Sequence, residues 1–159
     1  MLTQQKIQEL CFYFDGNLYW RKSRSGAQTN KRVGAIETDG RIRALIFGKR
    51  YRMHRLIYLY HYGYMPTYID HIDGNVTNNS IENLRECTNQ QNQYNSKLNI
   101  KNTSGHKNVH FNKRINKWSV YLRINKNKTY FGVYDDLELA ALVATEARDK
   151  FHNNFARHF

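Results

Sequence analysis

Hydrophobic and polar positions alternate most regularly between residues 117 and 125, in the last third of the chain. An extended segment here carries only apolar side chains on one face, those of Trp118, Val120, Leu122 and Ile124. A period of two residues is typical of a strand with one buried face, and segments 107–113 and 129–134 predict two further strands. After a pair of aspartates that can cap a helix, apolar residues recur at helical spacing. We therefore predict a three-stranded sheet packed on one helix over residues 105–159.

The predicted helix has a stripe of residues that we expect to be buried against one face of the sheet: Ala140, Val143, Ala144, Ala147 and Phe151. The opposite face of the sheet then remains open. It carries polar, aromatic and basic side chains, namely His110, Asn112, Tyr121, Arg123, Lys128 and Tyr130. Such a face is either an ordinary solvated surface or a surface that contacts nucleic acid.

The first 66 residues predict several short elements around small turns. Thr3 is a candidate N-cap for a helix ending near residue 10. The segment from Phe12 to Trp20 predicts a hairpin with its turn at Asp15-Gly16-Asn17. The polar stretch 21–32 contains five basic residues and is either a solvated loop or a phosphate-contacting one. The elements predicted after it are strands at 33–36, 41–47 and 50–54 and a helix at 54–62 that ends at Gly63.

The stretch from Tyr68 to Asn95 predicts a strand, a loop, a second strand and a helix. The β-prone run at 68–72 is followed by a polar, turn-forming segment, and a second short run spans 83–87. Thr88 with Gln91 three residues later forms the pattern of a capping box, which predicts a helix that carries Asn92 in its first turns.

Three residues of this stretch supply what metal-assisted phosphodiester hydrolysis requires. Asp70 offers a charged oxygen and Asn92 a neutral carbonyl oxygen, and a hard ion such as Mg²⁺ prefers oxygen ligands while keeping several waters. His71 has an unperturbed pKa near 6.5, so it can accept a proton from water at neutral pH. A structural zinc site is an alternative, because His54, His61 and His71 lie in one region, but such sites are usually rich in cysteine.

The order Asp70-His71, Asn83, Asn92 resembles the HNH nuclease motif (the ββα-metal finger) in its His-Asn-Asn form. The resemblance implies that Asp70 and Asn92 bind a divalent metal, Mg²⁺ or alternatively Mn²⁺. It also implies that His71 is the general base and that Asn83 orients His71. The family cuts DNA to leave 5′-phosphate and 3′-hydroxyl ends. Relatives often have an aromatic residue shortly after the middle asparagine, where this chain has Arg85 and Glu86.

Residues 105–159 resemble the plant ethylene-response-factor (APETALA-type) DNA-binding domain, including Gly132-Val133-Tyr134 and Phe155-Ala156-Arg157. In that family the sheet lies in the major groove of DNA. The resemblance therefore implies DNA contacts for the open-face residues His110, Asn112, Tyr121, Arg123, Lys128 and Tyr130. This chain has Asn108 and His110 where the plant domains have glycine and arginine, so the plant target sequence does not carry over.

Charge and composition agree with a nucleic-acid partner. The chain of 159 residues has a net charge of +12, with fourteen basic and eight acidic residues up to position 98 and eleven against five after it. The positive charge is thus not a detachable tail, and it predicts a polyanion as partner. Two cysteines without a pairing motif and no apolar run of membrane length favour a cytoplasmic protein. An anionic membrane surface is the weaker alternative, since no basic amphipathic helix is evident.

Together these observations predict an α+β protein. We expect a β-rich HNH nuclease domain at 1–98, a linker at 99–104 and an APETALA-type domain at 105–159. The function that follows is a metal-dependent, homing-type endonuclease of double-stranded DNA, encoded by a phage or mobile element and acting as a monomer or homodimer. The alternatives are a DNA-binding regulator with a degenerate metal site, and an RNA substrate, whose major groove is too narrow for such a sheet.

Overall fold

A computed structural model describes residues 1–22 and 29–158 of the chain. It is a mixed α+β structure of small antiparallel sheets and helices, which confirms the predicted fold class. The chain divides into two compact units, Met1–Cys87 and Thr88–Phe159. Half of the predicted basic loop, at 23–28, lies outside the described residues. None of the helices in the described part of the chain has the length and apolar character that crossing a membrane requires.

The first unit begins with a helix, a hairpin and a three-stranded sheet. Thr3 caps helix α1 (Gln4–Leu10) by accepting a hydrogen bond from the Lys6 amide, as predicted. Strands β1 (Cys11–Phe14) and β2 (Asn17–Trp20) form the hairpin. The sheet that follows has the order β3-β4-β5, with bounds Ala35–Ile36, Ile42–Ile46 and Lys49–Arg52.

Helix α2 (Met53–Tyr62) supplies the centre of the core of the first unit. Its residues Met53, Leu56 and Ile57 are fully buried, together with Ile7 of α1 and Leu18 of β2. The helix ends at Gly63, which adopts the left-handed conformation with φ of 82°. Glycine takes that conformation without the steric cost of a Cβ atom.

Two short antiparallel strands complete the first unit. Strand β6 (Tyr68–His71) pairs with β7 (Leu84–Cys87), and a 3₁₀ turn at Ile81–Asn83 leads into β7. The turn replaces the start of the strand predicted at residue 83. Cys87 of β7 and Cys11 of β1 are both buried thiols.

The second unit contains a short helix, the predicted sheet and a long helix. Helix α3 (Asn89–Tyr94) begins with a complete capping box, because the Thr88 hydroxyl accepts from the Gln91 amide while the Gln91 side chain accepts from the Thr88 amide. The sheet has the order β10-β9-β8, with bounds Asn127–Tyr134, Lys117–Ile124 and Val109–Asn112. Helix α4 (Leu137–His152), capped by Asp136, packs against it, and a 3₁₀ turn follows at Asn153–Phe155.

The buried stripe of α4 differs from the prediction at its C-terminal end. Ala140, Ala144 and Ala147 are buried against Val120 and Leu122 of β9, as expected. Phe151, however, is 38% exposed, and Arg148 and His152 are buried instead. The prediction for Phe151 was wrong because the buried side of the last helical turn faces backbone carbonyl groups. Arg148 forms a hydrogen bond with Lys107 O, and His152 forms one with Arg123 O.

Candidate functional site

Asp70 and His71 are adjacent at the end of β6, and both side chains are buried. Their exposed fractions are 4% and 7%, although both residues are polar and a strand end is commonly solvated. Buried polar groups are costly unless they form hydrogen bonds, so their partners define the site. The pairing of β6 with β7 supplies one of these partners, and the loop between the strands supplies another.

The carboxylate of Asp70 forms an ion pair with Arg85, its cross-strand neighbour on β7. One oxygen, Oδ2, accepts hydrogen bonds from Arg85 Nε at 2.8 Å and from Nη2 at 2.7 Å. The side chain of Arg85 is 18% exposed, so this pair is largely shielded from water. Arg85 therefore gives the buried carboxylate a cationic partner at a position where the local sequence departs from the usual HNH pattern.

The imidazole of His71 is held by Asn79, a residue that the sequence did not indicate. Asn79 Oδ1 lies 3.1 Å from His71 Nε2, and Asn79 is only 2% exposed. An amide oxygen accepts, so Nε2 carries the proton and the basic lone pair is on Nδ1. Burial lowers the pKa of His71, a shift that the hydrogen bond to Asn79 and the charges of Asp73 and Asp70 oppose. The ring is therefore neutral at pH 7.

Asn83, expected to orient His71, fixes the loop that contains Asn79. Its Nδ2 donates to Asp73 Oδ1 at 2.9 Å and to Asn78 O at 2.8 Å, and its Oδ1 accepts from the Asp73 amide at 3.0 Å. The Ile72 amide also donates to Asn83 O. These bonds tie both ends of residues 73–78 to β7, immediately before the Asn79 contact.

His54, on the first turn of α2, lies against His71. Their ring centroids are 5.2 Å apart and the rings are nearly perpendicular, at 77°. Burial, and then the neighbouring charge of His71, lower the pKa of His54 to about 3. His54 thus flanks the site as a neutral ring, and a neutral neighbour does not repel positive charge on His71.

Three arginines in or next to β4 and β5 form ion pairs with carboxylates of the first unit. Arg43 and Arg52 pair with Glu37 at 3.1 and 2.9 Å, and Arg41 pairs with Asp39 at 2.8 Å. The hydrogen bonds from Arg41 lower the pKa of Asp39 to about 2. The positive charge of these three arginines is therefore partly neutralised within the first unit.

Asn92, the second predicted metal ligand, is exposed on α3, which belongs to the second compact unit. A carboxylate and an amide oxygen are ligands that fit Mg²⁺, an ion that takes few ligands from the protein. Within residues 1–22 and 29–158, no group of three or more His, Cys, Asp and Glu side chains could hold a metal. The zinc alternative, which needs a closed set of such ligands, therefore has no support.

The open face of the β8–β10 sheet carries a continuous group of the predicted DNA-contacting side chains. Tyr121 lies at its centre, with its ring 6.4 Å from that of His110 and 5.1 Å from that of Tyr130. Lys128 Nζ lies 3.9 Å from the Tyr121 ring centroid, a cation–π contact. Arg123 is exposed opposite Lys128 in the register of β9 and β10. Asn112, at the end of β8, accepts a hydrogen bond from the Arg114 amide and so shapes the turn to β9.

Comparison with known proteins identifies two similarities. The sequence profile of a family described as HNH endonuclease matches residues 51–94, which include Asp70, His71, Asn83 and Asn92. Over 90 residues the chain is 36% identical to Protein 3.8 of Escherichia phage T7, and this alignment covers 57% of the chain and 74% of the phage protein. No solved structure matches.

Proposed function

Because the chain belongs to the HNH endonuclease family, we propose that it hydrolyses phosphodiester bonds of double-stranded DNA with a divalent metal ion. The observation that carries the proposal is the arrangement of His71. Its ring is buried, neutral and held by Asn79. The carboxylate of Asp70 lies at the preceding position on β6. A neutral imidazole in a fixed orientation is what a general base requires.

His71 would accept the proton of the attacking water on Nδ1, while Nε2 remains bonded to Asn79. The hydrogen bond to the amide keeps the ring oriented as positive charge develops on it. Asp73 and Asp70, whose charges raise the pKa of His71, stabilise that positive charge. Asn83 acts as a positioning residue through the loop that it ties to β7.

We propose Asp70 and Asn92 as the residues that bind the metal, from their order in the motif and the chemistry of their oxygen atoms. When bound, Mg²⁺, or alternatively Mn²⁺, would stabilise negative charge on the phosphate and on the leaving oxygen. Arg85 orients the Asp70 carboxylate through its two contacts with Oδ2. A charged carboxylate is the form that a hard cation requires.

We propose the open face of the second unit as a DNA-binding surface, with contacts from the six residues His110, Asn112, Tyr121, Arg123, Lys128 and Tyr130. The three-stranded sheet packed on a single helix is the arrangement that the resemblance to APETALA-type domains implies for residues 105–159. We propose a nuclease domain at 1–98 and a linker at 99–104, because the nuclease motif continues to Asn92. This boundary differs from the one between the two compact units, which lies after Cys87.

The biological role that we propose is that of a phage or mobile-element endonuclease of homing type, acting inside the host cell. Similarity to a phage protein supports this origin. One metal finger in each chain makes one cut, so a double-strand break needs a homodimer or a second binding event, whereas a monomer nicks one strand. A regulator without catalysis is the competing function.

A plasmid-nicking assay with Mg²⁺ separates the endonuclease from the regulator. The wild-type protein should convert supercoiled plasmid to the nicked or linear form, and His71→Ala should lower the rate by about a hundredfold to ten-thousandfold. His106→Ala is the matched control, because it removes a histidine of the second unit that is outside the motif. Retained DNA binding without nicking by the wild-type protein would favour the regulator.

A further inference from the structure

The second unit contains a cavity of about 670 Å³ whose lining residues are mostly outside the predicted DNA-binding set. Helix α3, the start of β8, the β9–β10 turn and the end of α4 form its walls. From α3, residues 89, 90, 93 and 94 line the cavity, whereas Asn92 does not. These positions share one helical face, so the same short helix presents the cavity wall on one side and Asn92 on another.

The charge of this cavity is strongly positive. Lys107, Arg123, Lys126 and Arg148 line it, and none of its described lining residues is acidic. Burial, followed by the charges of Arg148 and Arg157, lowers the pKa of Lys107 to about 8. Cations gathered around a concave surface without counter-charges favour an anionic ligand.

A buried donor among these residues has no partner within the described part of the chain. Arg148 is 3% exposed, and its Nη atoms donate to Lys107 O at 2.7 Å and to Thr145 Oγ1 at 2.9 Å, whereas Nε has no hydrogen-bond partner. An unsatisfied donor on a buried guanidinium is costly, so an acceptor supplied by a ligand would offset that cost.

The walls of the cavity are held in place by specific contacts. The Tyr94 ring of α3 stacks on the His152 ring of α4, with centroids 3.5 Å apart and an interplanar angle of 9°. Lys107 Nζ donates to Tyr94 O and Ser96 O at the end of α3. A cavity with fixed walls binds a ligand without first ordering them.

We propose that this cavity binds a phosphate group, with Lys126 as its exposed cationic contact. Arginine and lysine form charge-assisted hydrogen bonds with phosphate oxygens, and arginine can do so with two parallel bonds. The phosphate belongs either to a DNA strand or to a free nucleotide. The first source rests on the proposed nuclease function, and the second is independent of it.

Binding of inorganic phosphate, followed by ³¹P NMR, tests the cavity directly. Wild-type protein should bind phosphate, and Lys126→Ala should weaken binding by about tenfold, the loss expected for a charge-assisted hydrogen bond. Lys113→Ala is the matched control, since it removes an exposed lysine from the β8–β9 turn of the same unit, outside the cavity. If Lys126→Ala binds phosphate like Lys113→Ala, the proposal is wrong.

Duplex DNA binding across a range of salt concentrations distinguishes the two sources. In a His71→Ala background, loss of one phosphate contact by Lys126→Ala should reduce the slope of log affinity against log salt by about 0.9, with no change for Lys113→Ala. An unchanged slope with weaker binding of inorganic phosphate would indicate a free nucleotide.

The plasmid-nicking assay distinguishes failure of the cavity proposal from failure of the nuclease proposal. Absence of nicking by the wild-type protein, together with loss of phosphate binding in Lys126→Ala, would overturn the nuclease proposal and support the cavity. Normal nicking by the wild-type protein, together with unaltered phosphate binding in Lys126→Ala, would overturn the cavity proposal and leave the nuclease proposal standing.

Discussion

Asn79 Oδ1 lies 3.1 Å from His71 Nε2. Both side chains are buried, and the two residues are separated by eight positions in the sequence. The loop that brings them together is held by Asn83, which bonds Asp73 and Asn78. The orientation of the proposed general base is therefore set by a chain of polar contacts that starts at Asn83 and ends at Asn79.

Replacing Asn79 by alanine should slow cleavage by about a hundredfold, the lower end of what a general base contributes, because His71 loses the acceptor that fixes its ring. The KM for DNA should change little, since the side chain is buried. Steady-state nicking rates over a range of plasmid concentrations measure both quantities.

Asn79→Asp is the control for this prediction, because a carboxylate keeps an acceptor for His71 Nε2. It should recover part of the rate that Asn79→Ala loses. Equal rates for the two variants, with both proteins folded by circular dichroism, would show that the hydrogen bond does not position His71.

Replacing Arg85 by alanine should destabilise the protein by about 3 kcal/mol, because it leaves the buried Asp70 carboxylate without its cationic partner. Chemical unfolding in the presence of a chelator measures this loss. The double variant Asp70→Asn, Arg85→Ala should be more stable than Arg85→Ala, since it removes the unpaired charge as well.

The Arg85→Ala variant also tests Asp70 as a metal ligand, without a measurement of activity. Added Mg²⁺ should raise the Tm of Arg85→Ala more than that of the wild type, because the ion can compensate the carboxylate charge. The double variant should lose this response. A Tm of Arg85→Ala that does not respond to Mg²⁺ would argue against Asp70 as a ligand.

Stability should fall as the pH decreases below about 6.5, through His54. Its pKa is about 3 in the folded protein and 6.5 without burial. Between these values the unfolded chain binds a proton that the folded chain does not, so the free energy of unfolding decreases by about 1.4 kcal/mol for each pH unit. Burial lowers the pKa of His71 too, which acts in the same direction.

Urea unfolding of wild type and His54→Gln at pH 8 and pH 5 checks this expectation. At pH 8 the histidine is neutral in both states, so the difference between the proteins there reports only the packing effect of the substitution. The loss of stability between the two pH values should be smaller for His54→Gln. Equal losses would mean that His54 does not contribute.

Truncating Tyr130 to alanine should weaken DNA binding by about 1 kcal/mol, or roughly fivefold, if the open sheet face contacts DNA. Tyr130 is 54% exposed and packs beside Tyr121, so its removal leaves the core intact. Leu142→Ala, at a residue of α4 that is 55% exposed, is the control. Similar DNA affinities for both variants in a gel-shift titration would exclude the sheet face.

Features that depend on neighbouring residues could be predicted from the sequence. The alternation around Val120 predicted β9, Thr88 and Gln91 predicted the start of α3, and Thr3 predicted the start of α1; all three are confirmed. Strand periodicity and helix caps are local, because they involve residues within four positions of one another. The order of Asp70, His71, Asn83 and Asn92 was sufficient to indicate the nuclease family.

The side chains that contact the proposed catalytic residues could not be predicted from the sequence, because they depend on how the chain folds in three dimensions. The partner of Asp70 depends on the register of β6 against β7, and the partner of His71 depends on the path of the loop that follows β6. Phe151 was misassigned because the polar backbone groups near the end of α4 come from distant segments. Such contacts join residues far apart in the chain, and a pattern along the sequence does not specify which loops and strand registers bring them together.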